Sequence, residues 1–149
     1  MVTPIPPTVR LILACDIAEY HEPADAWDVR NPRTVFPIPP RGRFPFQTTE
    51  FTIYAQLAGG IGTWDLAVEM LQVRDNGTQR FVGTSGARDV EFTAADRLIP
   101  VQLAFVLRPV RFRESGEYLF RIVAVSGAGS TPIGGEAASL RVFDNKGAL

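Results

Sequence analysis

Glu114-Ser115-Gly116-Glu117-Tyr118-Leu119-Phe120-Arg121-Ile122-Val123-Ala124-Val125 opens on a turn and runs on as a strand. Tyr118, Phe120, Ile122 and Ala124 recur at every second position, the period of a pleated backbone, so they share one buried face. The opposite face carries Leu119, Val123 and Val125, with Arg121 its only polar member. In a two-layer sandwich that second face should meet water, yet large contiguous apolar patches are rarely left bare. The expected cover is internal, from the N-terminal segment and the proline-rich stretch that follows it. The alternative is a partner that lands on Leu119, Val123 and Val125.

The flanking sequence supplies further strands. Val9 to Cys15 is apolar except for Arg10, which predicts a strand covered on each side. Phe51, Ile53, Ala55 and Leu57 alternate with Thr52, Tyr54 and Gln56, the pattern of a half-buried strand. After a glycine turn at 59–62, Trp64, Leu66, Val68 and Met70 alternate, and a bulge is expected to shift the register to Leu71 and Val73. Asp75-Asn76-Gly77 predicts a hairpin with positive φ at both central positions, followed by short strands near Arg80–Val82 and Arg88–Phe92. Val101, Leu103, Phe105 and Leu107 point inward before Pro109, and Ala138 to Phe143 forms the last strand. Only Thr93–Arg97 reads as a helical turn. Prolines at 32, 37, 39, 40 and 45 make residues 31–46 an extended, polyproline-like segment, because they exclude helix and central strand alike. The expected fold is all-β: a single antiparallel β-sandwich of seven to eight strands spanning residues 1–149.

Composition agrees with one globular domain. A chain of 149 residues, 46% hydrophobic and 21% charged, buries about two-thirds of its unfolded surface without disulfide or metal. Its net charge of −1 argues against a nucleic-acid or anionic-membrane binder, both of which demand a basic excess. The single Cys15 excludes an intramolecular disulfide, and no Cys/His spacing suits zinc. The first residues lack a basic leader and Val9–Ala14 is too short for a membrane span, so the expected location is cytoplasmic.

The run Glu114 to Phe120 resembles the Asp-x-Gly-x-Tyr-x-Cys signature that leads into strand F of immunoglobulin domains. Gly116 and Tyr118 match, while Glu114 replaces the aspartate and Phe120 the second disulfide cysteine. The resemblance implies a tyrosine corner, in which the Tyr118 hydroxyl bonds to nearby backbone. It also makes Trp64 similar to the core tryptophan of strand C. No first cysteine lies in Phe51–Ala58, so the implied domain is disulfide-free, packed by Phe120 and suited to a reducing cytoplasm. The whole layout resembles uncharacterised bacterial immunoglobulin-like proteins, with an early apolar strand ending in Cys15-Asp16 and a Gly-Glu-Tyr-x-Phe strand before the last. That family carries no activity across.

Candidate chemistry is sparse. His21, the only histidine, has Asp16, Glu19, Glu22, Asp25 and Asp28 around it, but the stretch contains no glycine for a calcium loop and reads as a solvated acidic loop. Cys15 ends an apolar strand, where burial raises a thiol's pKa and silences it. Ser115 sits in a turn, and no Gly-x-Ser-x-Gly elbow is present. Arg108, Arg111 and Arg113 interleave with Val110 and Phe112, yet Glu114 and Glu117 follow at once and predict ion pairing within the chain.

The expected function is a non-enzymatic binding module, an adaptor or accessory subunit for a protein partner. Phe36, Phe44, Phe46, Leu119, Val123 and Val125 are its expected contacts; Trp64, Gly116, Tyr118 and Phe120 are structural; no cofactor, metal, nucleic acid or membrane is expected. A self-associating structural subunit and a small enzyme or metal-binding domain around His21 are the other two readings.

Overall fold

The computed structural model describes residues 3–39, 42–48, 51–93, 99–107 and 109–144. In chain order the strands are β1 (Thr8–Cys15), β2 (Ile17–His21), β3 (Ala26–Arg30), β4 (Val35–Ile38), β5 (Phe46–Thr48), β6 (Phe51–Ala58) and β7 (Gly62–Val73). They continue as β8 (Gln79–Thr84), β9 (Arg88–Phe92), β10 (Val101–Leu107), β11 (Val110–Phe112), β12 (Gly116–Ser126), β13 (Gly129–Pro132) and β14 (Ala138–Asp144). One 3-10 turn, Glu22–Ala24, is the helical element among the described residues. The turn expected over Thr93–Arg97 lies outside them beyond Thr93, as do Pro40 and Arg108.

One sheet has the order β1-β6-β10; the other has β4-β14-β12-β7-β8, with β9 added to β7 and β13 to β12. The chain passes from β6 in the first sheet to β7 in the second, returns to β10, then crosses again to β12 and β14. That alternation is the Greek-key connection of an immunoglobulin-like sandwich. Among the described residues, ten strands form the two layers, three in one and seven in the other; eight of them are the segments expected from sequence, and β4 and β13, which carry no period-two pattern, are additional. Among the described strand ladders one is parallel, β4 along β14, with Arg141 opposite Val35 and Asp144 opposite Ile38, and a single parallel bridge joins Val9 to Gly135.

The core follows from alternation. Tyr118, Phe120 and Ile122 of β12, Leu66 and Val68 of β7, and Ile53, Ala55 and Leu57 of β6 are at most 1% exposed. Each large apolar side chain buried in this way contributes about 1.5–3 kcal/mol. Phe120 meets Phe51 of the opposite sheet with ring centroids 5.6 Å apart, so an aromatic contact ties β6 to β12.

Several expectations need correction. The register between β7 and β8 shifts at Met70/Leu71, but β7 runs unbroken against β12; Val82 on β8 is the extra residue, and Leu71 stays on the outer face. The loop after β7 has positive φ at Gly77 alone, with the Gly77 amide bonded to the Arg74 carbonyl and the Arg74 amide to the Thr78 carbonyl. It is a three-residue loop ending in a left-handed glycine, not a two-residue turn. β6 is buried on both faces because residues 17–30 form a β2–β3 hairpin rather than a loop, and Trp27 packs on Tyr54 at 5.6 Å. β1 is half covered: Val9, Ile12 and Ala14 face the core while Leu11 remains 38% exposed.

The proline-rich segment does not lie over the outer face of β12. Val35–Ile38 is an edge strand, where Pro37 interrupts no ladder on its free side. Phe36 turns inward against Phe46, Phe51 and Phe112 at 5.7–6.3 Å, and Phe44 joins the same cluster.

Candidate interaction surface

The turn before β12 fixes what that strand displays. Gly116 takes φ +144°, a conformation favouring glycine. The Tyr118 hydroxyl donates to the Glu114 carbonyl at 2.7 Å, the geometry of a tyrosine corner. The ring stands edge-on to Phe112 at 5.0 Å, and burial pushes its phenol pKa up. Gln72 donates to the Glu114 carboxylate at 2.7 Å and accepts from Arg80 at 2.5 Å. With this end pinned, Leu119, Arg121, Val123 and Val125 face outward.

Across the outer face the residues fall into rows. Phe81, Leu71, Leu119 and Ser139 stand side by side on β8, β7, β12 and β14. Leu71 is 5% exposed, Leu119 is half-buried, and Phe81 is 59% exposed. One pleat along, Arg121 reaches Glu69 through Nε at 2.9 Å and Nη2 at 2.5 Å, which allows a carboxylate 7% exposed to sit on a sheet face. Ser130 of β13 contacts the other Glu69 oxygen at 3.5 Å.

The expected contacts therefore separate. Leu119 and Val125 lie half-buried on this face. Val123 is 1% exposed, paired between Ala67 and Pro132, and is corrected from a contact residue to a buried one. Val123 is enclosed within the sheet itself, between β7 and β13, with the Arg121–Glu69 pair on the same face. Phe36, Phe44 and Phe46 are half-buried and pack against the core from the inner side, which corrects them from contact residues to packing ones. Phe81 escaped the sequence reading; its position across the hairpin from Leu71 was the available signal.

The remaining candidates stand apart. Cys15 is fully buried, and burial with Asp16 alongside pushes its thiol pKa to about 11. His21 is exposed, 3.9 Å from Asp28. Among the described residues no three His, Cys, Asp or Glu side chains converge to hold a metal ion. Ser115 is exposed in its turn. Trp64 donates to the Ile61 carbonyl at 3.0 Å near the start of β7 and is half-buried, whereas Met70 is the residue opposite Phe120. Arg111 and Arg113 are exposed; Glu114 and Glu117 bond instead to Gln72 and Ser139. Among the described residues no helix is long and apolar enough to cross a membrane.

Strand order and the Tyr118 corner define an immunoglobulin-like β-sandwich. No family model and no curated protein matches the sequence. Among solved structures, murine CRIg is similar at 11% identity and a TM-score of 0.36, over 76% of this chain and 93% of that one. The fold assignment rests on the strand order and not on that likeness.

Proposed function

We propose that the protein is a binding module whose partner is another protein, engaged through the outer face of the seven-stranded sheet. The observation that carries this reading is the row Phe81–Leu71–Leu119. A phenylalanine 59% exposed beside two aliphatic side chains, flanked by the Arg121–Glu69 pair, has the apolar centre and polar rim of an interface. Val125 extends the apolar area. The work is adaptor-like and non-enzymatic, in a reducing compartment where the one buried thiol stays free.

The test is affinity purification of tagged wild type and Phe81→Glu from source cells, followed by mass spectrometry. A stoichiometric protein recovered by wild type and lost with Phe81→Glu supports the reading. Equal recovery by both, or recovery of the tagged chain alone, overturns it. A second copy of the chain in that position would select the self-associating subunit instead.

A further inference from the structure

The sandwich is open along one side. β10 pairs with β6 on one edge only, and β9, which follows β8 and precedes β10, joins β7 of the opposite sheet. Between β8 and β10 lies a cleft of about 320 Å³. Val68 and Met70, at 1% and 6% exposure, belong to the core and line it, together with Val82, Leu107 and Val110. Val106, 48% exposed, stands at its edge.

The backbone beside the cleft is available for pairing. Arg88 of β9 donates from Nη1 to the Ala104 carbonyl at 2.6 Å, and its guanidinium lies 5.7 Å from the Phe105 ring centroid. That carbonyl therefore points away from β6. Alternate residues of an antiparallel strand send their backbone groups to the same side, so Val106 also directs its N–H and C=O to the free edge. Arg88 occupies Ala104 and leaves the Val106 end, where the cleft opens.

We propose that this edge takes an extended acidic peptide by strand addition, pairing with Val106 and lodging an aliphatic side chain over Val68 and Met70. Charge selects the occupant. Among the described residues no carboxylate lines the cleft, Arg111 is part of its lining, and Arg88 lies on the same edge through its bond to Ala104. Neither arginine is ion-paired with a carboxylate among the described residues. The site is separate from the outer face that carries Phe81.

The test is fluorescence anisotropy of the full chain with a labelled, end-blocked peptide, Ser-Glu-Val-Glu-Val-Glu-Val-Ser, and a control with Lys for each Glu. Val106→Pro removes the outward N–H without breaking the β6 ladder, and thermal melting checks that it folds. Arg111→Glu, on an exposed side chain, is the second variant. The expected result is saturable binding of the acidic peptide alone, at least tenfold weaker in both variants and unchanged by Phe81→Glu. No saturable binding, equal binding of the lysine peptide, or unchanged affinity in Val106→Pro overturns the proposal. Self-association of the wild type that Val106→Pro abolishes also overturns it, because the edge then belongs to a second copy.

Discussion

Arg33 grips Asp16 through two hydrogen bonds, Nε to Oδ1 at 2.7 Å and Nη2 to Oδ2 at 3.0 Å, across the base of the β2–β3 hairpin. Asn31 adds a third bond to the same carboxylate at 3.0 Å, and the Arg33 amide bonds the Ala14 carbonyl at 2.7 Å. This cluster anchors one end of the hairpin, and Trp27 on Tyr54 fixes its body against β6.

The Asp16 contribution depends on acid. The Arg33 hydrogen bonds hold its carboxyl below the ordinary range, more than burial raises it. A lowered folded pKa gives stability that is present above the unfolded value, about 3.9, and disappears as pH falls through the folded one. Asp16→Asn should cost about 1 kcal/mol at neutral pH, the upper end for a partly exposed pair, and the gap should narrow as pH falls below the ordinary aspartate range. Urea melts of both proteins between pH 7 and pH 2.5 measure it.

Tyr118→Phe keeps the ring among Phe112 and its neighbours but removes the donor to Glu114. The expected loss is about 1 kcal/mol, the net worth of one such bond, without change of fold. Chemical denaturation checks it, and an unchanged midpoint would remove the corner from the list of stabilising contacts.

Val123 and Phe81 lie on the same sheet face with opposite consequences. Val123→Asp places a carboxylate at a position 1% exposed between Ala67 and Pro132 and should unfold the chain at 37 °C, at a cost of about 3 kcal/mol or more. Phe81→Glu, on a side chain 59% exposed, should change stability by about 0.5 kcal/mol at most. Thermal melts of the two variants distinguish them.

Gly135 has φ +110°, and a Cβ there would lie 2.2 Å from the Val9 carbonyl oxygen and 2.8 Å from its nitrogen. Both obstacles are backbone and cannot rotate away. Gly135→Ala should cost about 3 kcal/mol or more, through left-handed strain added to the clash. Hydrogen exchange should locate the damage at Val9 and Glu136, whose amides bond across this junction.

Cys15 should react with a thiol reagent at pH 8 about a hundredfold more slowly in the folded chain than in urea, because the pKa near 11 leaves little thiolate and burial limits access. Native and denatured labelling rates provide the comparison.

The strands that read clearly in sequence are those whose apolar residues alternate without interruption. β9, β10 and the body of β12 fall where Val90 and Phe92, Leu103 and Phe105, and Tyr118 to Ala124 mark a period of two. β2 and β3 are hidden because each is only five residues long and lies within an acidic run that includes Glu19, Glu22, Asp25 and Asp28; Tyr20 and Trp27 face each other only when the chain folds back at Glu22–Ala24. β4 was hidden by Pro37, which is tolerable at an edge that sequence does not reveal. The candidate interaction face is half legible. Leu119 is visible as an anomaly on β12, but Phe81 gains meaning only beside Leu71, and Val123 loses it only beside β13.

The parallel pairing of β4 with β14 sets a schedule for the newly made chain. β1 meets β6 as soon as residue 58 has been synthesised, but Val35–Ile38 has no ladder until Arg141–Asp144 leaves the ribosome. Until then Val35–Ile38 lies in sequence between β1 and β6, whose ladder can form before its own partner strand exists. Long-range pairing of this kind is slow to form and exposed to misassembly. The prolines around Phe36 thus protect a waiting strand, since a segment that cannot lengthen its ladder offers little to a neighbouring chain.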